Sequence, residues 1–218
     1  MNKSHLHRLI CSASLFIFIL ALTSSAAADD GQTLQIFLEK VRKSSAKIQS
    51  FSCNFTQERH LSLFPEAVVF RGNLKLIRPD RLRWAFVSPI PSVLIFNGNK
   101  GIRCTDNQQP VLFELESDPV MRIVAKQLWS WLNNDYDDLK DQYIIQRSGT
   151  SSLTITPADK SSTEFIGSVI ITFDEKSYQP KRVVINEPDG DSTHIVFSNY
   201  QFDIDLAKST FTTCSQND

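Results

Sequence analysis

Residues 66–87, EAVVFRGNLKLIRPDRLRWAFV, constrain the fold more than any other stretch of this 218-residue chain. Val68, Phe70, Gly72, Leu74 and Leu76 occupy every second position, with Arg71, Asn73 and Lys75 between them. A period of two puts the first set on one face of a β-strand and the second set on the other. Pro79-Asp80 turns the chain. A second alternating run follows, with Leu82, Trp84 and Phe86 on one face and Arg81 and Arg83 on the other. Arg78 continues the even-numbered series, so it projects from the end of the apolar face. A guanidinium there must meet carbonyls, a carboxylate or water, because an unpaired buried charge is costly. Parity alone leaves two readings open: a solvated residue at the rim of the sheet, or a cation that anchors another element against it.

The period of two recurs along the chain. Phe51, Cys53 and Phe55 alternate with Ser52, Asn54 and Thr56 in a first strand, and Ser92 to Phe96 forms a short strand that ends at the hairpin signal Asn97-Gly98. Weaker strands are expected at 101–106 and 110–116, and further ones at about 142–147, 151–157, 163–174, 180–187 and 192–203. Within 163–174, Phe165, Gly167, Val169, Ile171 and Phe173 share a face. Glu187-Pro188-Asp189-Gly190 is a turn. Two stretches have helical spacing instead. In 33–49, Leu34, Phe37, Leu38, Val41 and Ile48 make an apolar stripe, with Thr33 as its N-cap. In 118–132, Asp118 caps, Pro119 takes the first helical position, and Met121, Val124, Leu128, Trp129, Trp131 and Leu132 make a broad apolar surface. The acidic stretch from Asp135 to Asp141 reads as a loop or short helix. Short turns between strands imply antiparallel pairing. The expected architecture is mainly β (α+β): a barrel or strongly curled sheet covered by two amphipathic helices. Its aromatic-rich face is either ordinary core or the lining of an apolar cavity.

Residues 1–28 read as a signal peptide. Lys3 and Arg8 precede an apolar run from Leu15 to Leu22, and Ala26-Ala27-Ala28 offers small residues for cleavage before Asp29. The run is short for a membrane span. Cys11 lies before most of it, badly placed for a lipidated cysteine at the cleavage site. A single domain over 29–218, exported and without an anchor, is therefore expected. Removing the leader leaves 21 lysines and arginines against 24 acids, a net charge of −3. That balance gives no basis for nucleic-acid binding, which needs a concentrated basic face. Cys53, Cys104 and Cys214 allow one disulfide and one spare thiol, or three thiols; spacing does not choose among them.

Catalytic frames are missing. There is no GxSxG elbow, P-loop, CxxC, HExxH or glycine-rich dinucleotide fingerprint. His60, His194, Cys53 and Cys104 lie at scattered spacings that do not announce a metal site, and the acids at Asp135, Asp137, Asp138 and Asp141 lack the ligand spacing of a calcium loop. No cofactor, metal or catalytic residue is expected. An exported β-rich chain with an apolar face and no catalytic frame points to lipid handling.

Several short motifs, in order, sharpen this. The helix of 33–49 is followed by Phe55-Thr56-Gln57, then Gly72-Asn73-Leu74-Lys75-Leu76, Arg78-Pro79, Arg83-Trp84, Pro91 to Phe96 with Asn97-Gly98, and a C-terminal Y-x-F and A-K-S-T-F-T pattern between Phe197 and Phe211. This order resembles the LolA family of periplasmic outer-membrane lipoprotein carriers across nearly the whole chain after the leader, most densely over 55–98. The resemblance implies an incomplete antiparallel barrel whose apolar cavity, under lid helices, takes the acyl chains of a lipoprotein. It implies an inner-membrane ABC transporter that loads the carrier and an outer-membrane receptor that unloads it, with the carrier itself monomeric and not an enzyme. The family's arginine before proline falls on Arg78, which would hydrogen-bond the lid. The cavity and lid positions would be Phe55, Phe70, Leu74, Leu76, Trp84 and Phe86 on strands, Leu34, Phe37, Leu38 and Val41 on the first helix, and Met121, Val124 and Leu128 on the second. Gly101-Ile102-Arg103-Cys104 stands where the family often has an aromatic pair, and the chain stops soon after Thr213. These departures leave a second reading open, a LolA-like carrier or sensor of another lipid, such as a glycolipid or a polyene-pathway lipid.

Overall fold

The computed structural model describes residues 26–106, 108–133, 136, 139–159 and 166–215. The chain divides into two compact units, residues 1–37 and 38–218. Of the first unit the structure describes only the start of helix α1 (Ala26–Ser45). Thr33 lies inside this helix rather than capping it, because the alanines at 26–28, strong helix formers, extend it toward the N-terminus. Residues 1–25 lie outside the described residues, as do the acids Asp135, Asp137 and Asp138, and Phe165. Among the described residues, no helix is long and apolar enough to cross a membrane.

The second unit is built on eleven strands: β1 (Ser50–His60), β2 (Val68–Ile77), β3 (Arg81–Ser88), β4 (Ser92–Asn97), β5 (Lys100–Thr105), β6 (Val111–Glu114), β7 (Tyr143–Arg147), β8 (Ser152–Pro157), β9 (Ser168–Phe173), β10 (Pro180–Asn186) and β11 (Ser192–Phe202). Helix α2 (Pro119–Leu132) separates β6 from β7. The strands form one open antiparallel sheet in the order β6-β5-β4-β3-β2-β1-β11-β10-β9-β8-β7. All but one of the neighbouring pairs are hairpins. The exception joins β1 to β11, pairing Phe51 with Phe202 and His60 with Ser192. The incomplete barrel expected from the sequence is this open, eleven-stranded sheet.

Register turns the period-two pattern into rows across the sheet. Phe51, Leu76, Leu82 and Phe96 are successive cross-strand partners, as are Cys53, Leu74, Trp84 and Leu94. In the next row Phe55 lies opposite Gly72, and Gly72 opposite Phe86. A Cβ on Gly72 would lie 2.0 Å from the Ala85 oxygen and 2.6 Å from the Phe55 ring. Only glycine lets that ring cross the neighbouring strand.

The opposite face of β3–β5 is covered as well, which alternation did not reveal. Ala85, Val93, Ile95 and Cys104 pack with Phe211 of a short 3-10 helix (Lys208–Phe211) near the C-terminus. Arg83, which parity places on the side away from Trp84, is 1% exposed rather than solvated. It donates to the carbonyls of Thr210 (3.2 Å), Thr213 (2.7 Å) and Ser215. A disulfide joins Cys104 to Cys214 across a separation of 110 residues. Cys53 is the buried free thiol, and burial pushes its pKa up to about 12.

Two outcomes follow from this arrangement. Replacing Cys104 and Cys214 by serine should lower unfolding stability by about 2–4 kcal/mol, read from urea denaturation, because a long loop is released in the unfolded chain; equal midpoints for variant and parent would refute the tether. Cys53, with almost no thiolate at pH 8, should resist alkylation in the native protein and react after unfolding, as peptide mapping would show.

Candidate functional site

The inner face of the sheet begins as an aromatic floor. Phe55 lies 5.2 Å, centroid to centroid, from both Trp84 and Phe86, and Phe70 lies 5.8 Å from Phe86. Phe197 on β11 meets Trp84 edge-on at 6.3 Å. Leu74 and Leu76 have no exposed surface, so they are floor rather than lining. Trp84 Nε1 is buried without a hydrogen-bond partner among the described residues. The structure thus brings Phe55, Phe70, Trp84 and Phe86 together. Leu38 and Val41 are buried on the last turns of α1. Leu34, half-buried, and Phe37, buried, belong to the first unit.

Helix α2 lies over this face. Asp118 caps it, accepting from the Met121 N–H at 2.9 Å, and Pro119 opens it, as its sequence predicts. Met121, Ala125, Leu128 and Leu132 are buried along one stripe. Trp129 packs edge-on against Phe96 at 6.3 Å. Val120 and Ile123 are 66% and 55% exposed, apolar where an ordinary surface helix carries polar groups. They form the lip of a groove of about 650 Å³, lined also by Val124, Ile166, Ile185 and Pro188.

One end of the groove is polar. Arg59, Glu187, Asp189 and Thr193 line it. The Arg59 guanidinium pairs with both oxygens of Glu187, donates to Thr193 Oγ1 at 2.9 Å and reaches Asp191 Oδ2 at 3.2 Å. The Glu187 carboxylate raises the Arg59 pKa further, and the Ser62 amide, with Arg59, holds the Asp191 carboxyl below the usual carboxylate range. Arg59 stands on the same odd-numbered face of β1 as Phe51, Cys53 and Phe55. The parity reasoning that singles out Arg78 applies equally to it. Val120, Ile123, Ile185 and Pro188 carried no comparable signal, because their role follows from where α2 comes to rest.

Arg78 lies where β2 turns into β3 and is half-buried. Its Nε donates to the Ile48 carbonyl at 2.9 Å, one terminal nitrogen to Asn133 Oδ1, and the other to the Leu132 carbonyl at 3.0 Å. Leu132 ends α2 and Asn133 is its C-cap. A cation at a helix C-terminus also faces the negative end of the dipole. Burial lowers the pKa of Arg78, yet an arginine stays charged at neutral pH. This one side chain therefore bridges the turn after α1, the sheet and the end of α2. Of the residues weighed for a metal, Cys104 is in the disulfide and Cys53 is buried in the sheet, so neither joins His60 and His194. Those two rings do meet, 4.5 Å apart.

A profile of the family described as "Outer membrane lipoprotein carrier protein LolA" matches residues 46–214. A relative from Chromohalobacter salexigens, described as an outer-membrane lipoprotein carrier protein, is 24% identical over 194 residues, which take in 88% of this chain and 86% of the relative. Among solved structures, an uncharacterized conserved protein from Thermus thermophilus superposes with a TM-score of 0.53 at 8% identity, over 85% of this chain and 96% of that one. MucB superposes with a TM-score of 0.53 at 14% identity, over 87% of this chain. The match takes in 64% of MucB, so the chain spans under two thirds of that protein's length. At these identities the two structures speak to fold alone.

Removing the Arg78 guanidinium leaves its carbonyl partners unpaired. Arg78→Leu should cost about 1–3 kcal/mol of stability and speed amide exchange over the last turns of α2, with β1–β4 unchanged. Exchange in α2 equal to the parent's would show that Arg78 does not hold this helix.

Proposed function

The chain belongs to the LolA family of outer membrane lipoprotein carrier proteins, and from this premise we propose that it is a soluble periplasmic carrier for the acyl chains of lipoproteins, exported by a signal peptide at 1–28. It would take cargo from an inner-membrane ABC transporter and release it to an outer-membrane receptor. The observation that carries this reading is the apolar groove along α2, with one arginine bonded to both the helix end and the turn after α1. A groove of about 650 Å³ lies within the size range of ligand sites, roughly 300–1,000 Å³.

The energetics fit a carrier. Two hydrogen bonds from the Arg78 guanidinium to the end of α2, each about 1.5–3 kcal/mol at most, bias α2 toward the sheet without locking it there. Each CH₂ transferred from water contributes about 0.8 kcal/mol, so about four to eight methylenes offset the loss of those two bonds, and a complete acyl chain exceeds it. Cargo would enter by displacing α2, with Phe55, Phe70, Trp84 and Phe86 as the surface beneath.

Native mass spectrometry of the protein isolated from the periplasm of its source tests the proposal. The expected result is one acylated protein per chain, with the lipid unchanged on release. A free glycolipid or other lipid in the groove would move the assignment to a carrier or sensor of that lipid. Val124→Asp places a carboxylate on the groove wall. It should weaken acyl binding by about tenfold or more while the protein melts cooperatively. Trp129 and Trp131 emission provides the binding readout, and parent-like affinity in this variant would exclude the groove as the acyl site.

A further inference from the structure

The outer face of the sheet carries two imidazoles and a carboxylate at the end where β1 and β11 pass the groove. Glu58 and His60 are two residues apart on β1 and so share a face. His194 on β11 is the direct cross-strand partner of Glu58. One ligand atom from each of the three lies within 4.8 Å of the other two. His60 Nε2 is 3.4 Å from Glu58 Oε2, and the imidazole centroids are 4.5 Å apart. His60 Nε2 is shielded from solvent and makes no hydrogen bond among the described residues. Its neighbour is the Glu58 carboxylate, 3.4 Å away and in contact without a hydrogen bond, and a cation shared by the two groups would satisfy both.

We propose that Glu58, His60 and His194 form a binding site for a divalent transition metal, with zinc the best match. Imidazole nitrogens with a carboxylate oxygen suit zinc and its neighbours better than calcium or magnesium, which prefer oxygen alone. Bonds of about 2.0–2.1 Å arranged as a tetrahedron put ligand atoms about 3.3 Å apart, close to the spacing already present between His60 and Glu58. Small rotations of the side chains bring the third ligand in, and the fourth position is left to water. The other carboxylate cluster, Glu187, Asp189 and Asp191, also has ligand atoms within 4.8 Å of one another. There Arg59 already pairs with Glu187 and Asp191, so a metal would have to displace a guanidinium.

The site's place in the fold gives it a consequence. Arg59 and Thr193 lie between the ligands in sequence and face the other way, into the groove. A metal across Glu58, His60 and His194 would clamp β1 to β11 behind the groove's polar end.

The test uses protein purified without a polyhistidine tag, stripped with a chelator, and titrated with Zn²⁺ by calorimetry and with Co²⁺ by visible absorption. The expected result is one equivalent per chain, with the d–d bands of a low-coordinate nitrogen and oxygen site for cobalt. His60→Gln, His194→Gln and Glu58→Gln, which keep size and polarity, should each weaken zinc at least about tenfold, while their melting without metal matches the parent. Absence of saturable zinc uptake by the parent would overturn the proposal. So would uptake undiminished in both histidine variants, which would move the metal to another cluster.

Discussion

A guanidinium taken out of water must find an acceptor for its donors, and this fold places three arginines under that constraint. Arg78 meets the carbonyls of Ile48 and Leu132 and the side chain of Asn133. Arg83, almost wholly buried, meets three carbonyls of the C-terminal segment. Arg59 meets Glu187, Asp191 and Thr193. Sheet hydrogen bonds run only between neighbouring strands, so they cannot fix what covers the faces. The arginines do this. One secures α2 and the turn after α1, one secures the C-terminal segment, and one joins β1 to the turn between β10 and β11. Planar, forked and permanently charged, arginine suits such multi-point bonding where a lysine would not.

The two covers differ in kind. The C-terminal segment adds a disulfide and a packed cluster around Phe211 to its arginine, and behaves as permanent structure. Helix α2 has Arg78, one buried stripe and a partly exposed apolar lip, and no covalent tie of its own among the described residues. That contrast separates a covalently fixed cover on one face of the sheet from a cover held by side-chain contacts on the other.

Most of the fold was legible in the sequence, for a physical reason. Each strand expected from alternation has a counterpart, because one face of an antiparallel strand must be apolar and the other need not be; β9 begins only at Ser168, after Gly167, and 163–165 of its expected span lie outside the described residues. The Asp118-Pro119 start of α2 was legible because capping is local chemistry. Arg78 was legible because parity carried a charge onto an apolar face. Three things were not. Alternation assigns Arg83 to the opposite face but is silent on whether a distant segment will cover it. The choice of Cys104 and Cys214 depends on that same segment folding back. The groove's lip, Val120 and Ile123, looks like ordinary helix surface until the helix is placed. In each case the missing information is a long-range contact, which spacing along the chain does not encode.

The strand order holds one more consequence. The two halves of the chain meet at the centre of the sheet, through β1 and β11, so its free edges are β6 and β7. These are the strands that flank α2 in sequence. The helix is therefore not a flap hinged at one end. It is a bucket handle, tied through its two connections to strands on opposite edges of the sheet.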